Sequence, residues 1–354
     1  MKYIIELEFK SGVHFGADYA GFGVEDVQGN AHADTIFSAL INTLAQIKYQ
    51  FKNTNWINDF FSDNNDSPVL PFKISSFGFC NTSSGFAHEY YLPKPNLVPN
   101  KLVNEKQKHE FGKDFKNRKF ISLETFKKWQ CGESLDLEKI LDKERESFWE
   151  EESKVQHLTD NVTAATQIYR TGLVFYYDFI LPFFIVDLDE NKFSIHDFLE
   201  LIHSLKFNGL GGRRTTGCGL FEFSDKNWFC IDIDKIKEQK ELNPGYQQKK
   251  DKARKLFEDI FSFSGNCNYL FSTFYPENIN QLAPIAYNLL LRKGWFFSTS
   301  SFTQLKRKTC YMFGEGSVFK STSKGKLVDV TPSEFSEHRV FRYGLPFTIP
   351  FNEV

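Results

Sequence analysis

The chain has 354 residues, 41% hydrophobic and 25% charged, with 43 Lys/Arg against 45 Asp/Glu for a net charge of −2. This composition is globular and excludes disorder of the whole chain. Near-neutrality excludes a uniformly basic coat, so a nucleic-acid partner must be met by a local basic patch. The length suits about two domains of ordinary size.

Aromatics make up 17% of the chain, with 40 Phe, 14 Tyr and 5 Trp, enough for two cores. Exposed members of this set are candidate platforms for base stacking. Cys80, Cys131, Cys218, Cys230, Cys267 and Cys310 form no C-x-x-C pair and no Cys/His cluster at metal-ligand spacing. Neither a metal nor a cofactor is therefore expected. Acidic residues stand near the N-terminus where a secretory apolar run would lie, and Asp178 and Pro182 interrupt the longest apolar stretch, Leu173 to Val186. The expectation is a soluble, cytoplasmic protein without membrane contact.

Tyr3, Ile5, Leu7 and Phe9 alternate with Ile4, Glu6, Glu8 and Lys10, predicting a half-buried strand. Ile36, Phe37, Leu40, Ile41, Leu44 and Ile47 recur at helical spacing, with Asp34 or Thr35 available as N-cap. Pro71 to Phe79 reads as a second strand, and Gly172 to Asp187 as one long strand or a hairpin. Ser194 can cap a helix carrying Ile195, Phe198, Leu199, Ile202 and Leu205 on one face. A short strand, Leu220 to Phe223, closes the series. Strand, helix, strand, strand, helix, strand is the ferredoxin-like (RRM-like) βαββαβ order of an α+β fold.

A large insertion at about 80–170 separates the second and third strands. Residues 101–130 hold nine Lys/Arg and four Asp/Glu, whereas 131–153 hold three and nine. Such segregation predicts a projecting, partly mobile arm, whose basic half (Lys106, Lys108, Lys113, Lys116, Arg118 and Lys119) could track a phosphate backbone. Residues 226–266 read as a helical connection. Tyr269 to Tyr275 then reads as a strand, Ala286 to Arg292 as a helix, and Trp295 to Ser298, Thr309 to Phe313 and His338 to Phe347 as strands. Element order suggests a second, degraded ferredoxin-like unit over 226–354, after a first over 1–225.

Five glycines fall within the eleven residues Gly209-Leu210-Gly211-Gly212-Arg213-Arg214-Thr215-Thr216-Gly217-Cys218-Gly219, where 22 in 354 predicts fewer than one. Free amides in such a loop can form an anion-binding concavity, and two arginines add planar donors for phosphate. A dinucleotide fingerprint is excluded because the helix precedes the loop and the strand follows it. A P-loop is excluded because Cys218 and Gly219 replace its Lys and its hydroxyl residue.

A Gly-rich loop holding basic residues between the last helix and last strand of a ferredoxin-like domain resembles the RAMP superfamily of CRISPR proteins. Within it the chain is similar to the fourth-subunit, Cas-five-like family of type III-A (Csm) effector complexes. The segments that carry this are His14-Phe15-Gly16, His32 to Leu40, Tyr90-Tyr91-Leu92-Pro93-Lys94-Pro95, Gly209 to Gly219 and Arg339-Val340-Phe341-Arg342-Tyr343-Gly344. The resemblance implies a non-catalytic subunit that grips the single-stranded 5′ handle of the crRNA. It also implies contact with the large polymerase-like Csm subunit and the backbone Csm subunits, with the insertion as a thumb-like element.

The RNA-binding candidates are Gly209, Gly211, Gly212, Arg213, Arg214, Thr215, Thr216, Gly217, Gly219, His14, Phe15, Lys306, Arg307, Arg339 and Arg342. Arg339 and Arg342, three apart, would leave a regular strand on opposite faces, so at most one meets the RNA. The competing expectation is a metal-independent RAMP endoribonuclease using His14 or His32 as general acid or base.

Overall fold

The computed structural model describes residues 1–353 except 18–25, 48–54, 62–67, 84–87, 100, 161, 233–243 and 297–304. The N-terminal unit begins with β1 (Lys2–Glu6), β2 (Glu8–Phe9), α1 (Ala33–Ile47), α2 (Asn55–Phe60), β3 (Phe72–Ile74) and β4 (Gly78–Asn81). The insertion follows as β5 (Glu89–Pro93), α3 (Glu105–Asn117), β6 (Phe120–Ser122), α4 (Leu123–Cys131), α5 (Leu137–Lys143), β7 (Trp149–Thr159) and β8 (Thr166–Tyr176). The unit then closes with β9 (Ile180–Leu188), α6 (Ile195–Asn208), β10 (Phe221–Glu222) and β11 (Trp228–Cys230).

The main sheet is antiparallel, in the order β11-β1-β9-β4-β5-β6, with β3 also paired to β9. The predicted second strand is thus two short strands, separated by Ser75-Ser76-Phe77. The edge strand β11 lies beyond residue 225, so the N-terminal sheet takes part of the stretch read as connection. Strand β1 is buried on both faces rather than half-buried. Tyr3 and Ile5 enter one core beneath α1 and α6, while Ile4 enters a second core on the opposite face. Glu6, expected at solvent, is 0% exposed. Its charge is met by Lys250 Nζ at 2.7 Å and by the Tyr90 hydroxyl.

The insertion packs instead of projecting as a whole. Phe115, Leu123, Phe126, Trp129, Leu137 and Ile140 recur at helical spacing on α3–α5 and enter the second core, leaving the charges on the outer faces. Arg118, read as a phosphate contact, is buried and donates to the carbonyls of Leu141, Glu144 and Arg145. Among the described residues of the insertion, only the β7–β8 hairpin stands out. Its eleven-residue strands pair from Trp149↔Tyr176 to Thr159↔Thr166, a span of about 35 Å at roughly 3.3 Å per residue.

The C-terminal unit contains α7 (Pro244–Ser262), β12 (Cys267–Leu270), β13 (Pro284–Ala286), β14 (Leu289–Arg292), β15 (Trp295–Phe296), β16 (Leu305–Lys306) and β17 (Cys310–Phe313). It ends with β18 (Val318–Phe319), β19 (Val328–Asp329), β20 (Phe341–Arg342) and β21 (Thr348–Phe351). The predicted helix over 286–292 is strand. Leu290 is 3% exposed and Leu289 44%, a period of two imposed by pairing with β17. The predicted strand 338–347 contracts to β20, and β21 was not foreseen. The sheet order is β13-β18-β12-β21, and no described helix joins β12 to β13 or β18 to β21. One 3₁₀ turn, Ile279–Gln281, lies on the first path and the β19–β20 pair on the second.

The two units share the second core, in which Tyr90 and Phe183 of the main sheet meet Phe257 of α7, and Phe183 approaches Phe271 after β12. A main-chain bond from Ser76 N to the Phe271 carbonyl (2.8 Å) and a bond from Ile74 N to the Tyr343 side-chain hydroxyl (2.8 Å) fix their mutual position. Among the described residues no helix is long and apolar enough to cross a membrane.

Candidate nucleic-acid interface

The Gly-rich segment is a tied loop. Gly209 caps α6, its amide donating to the Leu205 carbonyl at 2.9 Å. Leu210 plugs the first core, and the neck closes through Leu210 N to Gly219 O (2.9 Å) and Gly219 N to Gly12 O (3.0 Å). Gly219 has φ +79°, and a Cβ there would lie 2.1 Å from the Leu210 carbonyl oxygen. Gly211 and Gly212 are held against the His14 main chain and ring. The close approach that requires these glycines is therefore made by the protein's own chain.

Beyond the neck the backbone turns outward. Arg213 has φ 56° and ψ 28°, and Arg214–Thr216 follow as a 3₁₀ turn. A left-handed residue beside a right-handed one aims successive amides to one side, a conformation costing about 1–2 kcal/mol at a non-glycine residue. The amides of Arg213, Arg214 and Thr215 meet no acceptor among the described residues, whereas those of Thr216, Gly217 and Cys218 are satisfied within the turn. The Arg213 guanidinium donates to Gln156 Oε1 at 2.7 Å and lies over Tyr169, tying the loop to the β7–β8 arm.

This turn forms one wall of a cleft of about 890 Å³. The floor is α1, offering Asp34, Thr35, Ser38 and Asn42, and the far wall comes from the C-terminal unit. Among the described residues the cleft is lined by six basic residues (Arg213, Arg214, Arg292, Lys293, Arg307 and Arg342) and one acidic residue, Asp34. Trp295 and Phe207, 55% and 77% exposed, line it as well.

Asp34, read as an N-cap, instead joins the units. Arg292 donates through Nε to Oδ2 at 3.0 Å and through Nη2 to Oδ1 at 2.9 Å, and Arg342 Nη1 donates to Oδ2. Burial acts to raise the Asp34 carboxyl pKa, but Arg292, Arg342 and His32 outweigh it and hold the group well below the usual carboxylate range. Arg307 lies beside this cluster. Burial, with Arg342 and Arg292 close by, pushes its guanidinium down to about 10.

His14, Gly211, Gly212, Arg213, Arg214, Thr215, Arg307 and Arg342 of the predicted set come together on the cleft. His14 Nδ1 donates to the Gly172 carbonyl at 2.9 Å. Gly209 and Gly219 form the neck, and Thr216 and Gly217 stand at the exposed tip outside the lining. Phe15 also borders the cleft, but it is 4% exposed and set edge-on to Phe77, so it is a packing residue. Lys306 lies over the Trp295 ring, and Arg339 pairs with Asp329 at 2.6 Å away from the cleft. His32 is 4% exposed, donating from Nδ1 to Glu315 at 2.8 Å while Nε2 faces Gln28.

Arg292, Trp295, Phe207 and Asp34 were not foreseen as site residues. Glu6, Cys80 and His88 place ligand-type atoms within 4.8 Å of one another, a grouping that linear spacing conceals. Lys250 already holds the Glu6 carboxylate, and burial pushes the Cys80 thiol well up.

Residues 264–351 match the CRISPR Csm4 C-terminal domain family. A 151-residue stretch is 30% identical to the "CRISPR system Cms protein Csm4" of Streptococcus thermophilus, covering 42% of each chain. The chain is similar to Csm4. The aligned stretch spans less than half of that Csm4 relative. The fold extends the likeness. A chain of the Csm1–Csm4 cassette in complex with cA4 superposes with a TM-score of 0.57 at 16% identity, over 99% of this chain and 98% of that one. A chain of the Csm3–Csm4 subcomplex of the type III-A CRISPR-Cas interference complex gives 0.55 at 16% identity, over 100% of both.

Proposed function

We propose that the chain is the RNA-binding, Csm4-like subunit of a cytoplasmic type III-A CRISPR effector complex, gripping the 5′ handle of the crRNA without cutting it. The observation that carries this is the cleft itself, lined by six basic residues and by a turn whose Arg213, Arg214 and Thr215 amides meet no acceptor among the described residues. Single-stranded RNA presents phosphates, 2′-hydroxyls and bases. The amide turn and arginines suit the first, Ser38 and Asn42 the second, and Trp295 and Phe207 the third. Overall acidity is no obstacle, because attraction depends on the local patch.

The non-catalytic reading is supported by His32, which is engaged with Glu315 beneath the surface, and by His14, whose Nδ1 is committed to Gly172. The β11-β1-β9-β4 part of the main sheet and the C-terminal sheet read from β21 to β13 both place four chain-order strands fourth, first, third, second, which supports two ferredoxin-like units, the second without its helices. Solved Csm4 assemblies include Csm1 and Csm3, which supports a bridge between the large subunit and the backbone. The test is co-expression with a candidate large subunit and a CRISPR array, then sequencing of co-purified RNA. Repeat-derived 5′ tags are expected, and RNA without them would refute the handle assignment.

A further inference from the structure

Among the described residues the Asp34 cluster holds more cations than anions. Three guanidiniums, Arg292, Arg307 and Arg342, surround one carboxylate. Arg292 and Arg342 bond Asp34 directly. The Arg307 side chain has no ion pair or hydrogen bond among the described residues, and its Nε is buried without a partner. A half-buried cation beside like charges destabilises the protein that holds it, unless an anion completes the set. All four residues line the cleft, so such an anion has access from solvent.

We propose that Arg292, Arg307 and Arg342 form a dedicated seat for one phosphodiester of the bound RNA, with Asp34 as the positioning residue that sets the forks in place. This rests on the reading of the cleft as an RNA site. The seat differs in kind from the Arg213–Thr215 turn: main-chain amides shape that turn, whereas side chains drawn from α1, β14, β20 and the segment after β16 shape this one. Asp34 holds two forks side by side, and Arg307 supplies the uncompensated charge. A ribose-phosphate chain in both seats would cross from the first unit to the second, past Trp295.

The experiment measures binding of an unstructured eight-nucleotide RNA, with one phosphate at a time replaced by an uncharged methylphosphonate. The intact protein should lose at least tenfold at one position in particular. Arg307→Gln should bind the native RNA at least tenfold more weakly and lose less than twofold further at that position. Arg307→Lys should regain the sensitivity. Without RNA, Arg307→Gln should melt at the same or a higher temperature, because a repulsive charge is gone. A lower melting temperature, or equal loss at every phosphate, would assign Arg307 to structure and overturn the seat while leaving RNA binding intact. Failure of the unaltered protein to bind RNA would overturn both.

Discussion

Replacing Asp34 with Asn removes the one negative charge that Arg292 and Arg342 share. The Arg342 side chain is 3% exposed and that of Arg292 13%, so neither cation can be fully rehydrated in place. Breaking a buried pair on one side costs about 3–5 kcal/mol. The amide oxygen of Asn can still accept one hydrogen bond, which sets the expectation near the lower limit, about 3 kcal/mol. Adding Arg342→Met removes the stranded cation, so the double variant should be more stable than Asp34→Asn alone by about 1–2 kcal/mol. Urea unfolding followed by tryptophan fluorescence reads both quantities, provided the denaturant slope is unchanged. The pH dependence has a defined sign. A carboxyl held below its unfolded value near 3.9 contributes fully above that value and loses its contribution as pH falls toward the folded pKa. The gap between wild type and Asp34→Asn should therefore be constant from about pH 7 to 5 and narrow below about 4. A loss under about 1 kcal/mol, or a double variant weaker than both singles, would refute the clamp.

Gly219→Ala should cost about 3 kcal/mol, from the left-handed backbone and two strained neck hydrogen bonds, and should expose the Leu210 amide to hydrogen exchange. Lys250→Met should destabilise by about 3–5 kcal/mol by stranding Glu6, and Glu6→Gln in the same chain should restore more than half, both read by urea unfolding. Trp295→Ala should weaken RNA binding about 5- to 150-fold with little change in salt slope, because stacking adds no ion release. Melting temperature should move little for Trp295→Ala, since the ring is half exposed.

The first unit was readable because its periodicities are strong: the α1 and α6 apolar faces and the β1 alternation place most of its core. The Leu289-Leu290-Leu291 run carried no period and was resolved as strand only by pairing with Cys310–Phe313. The insertion misled through its charges, which cover the outside of helices whose sparse aromatics still pack. At the site, the glycine density identified the loop, but its cause is contact with Leu210 and His14 rather than with an outside chain. Asp34 could not be found from sequence, because its partners lie 258 and 308 positions away. Trp295 and Phe207 were hidden among many aromatics that fill cores.

The measurement closest to the central claim is fluorescence anisotropy of a labelled single-stranded handle RNA at ~150 mM salt, with wild type and Arg213→Ala/Arg214→Ala compared. The account predicts at least a ~30-fold loss of affinity, about 2 kcal/mol, with the fold intact by circular dichroism. Equal affinity of the two folded proteins would contradict it.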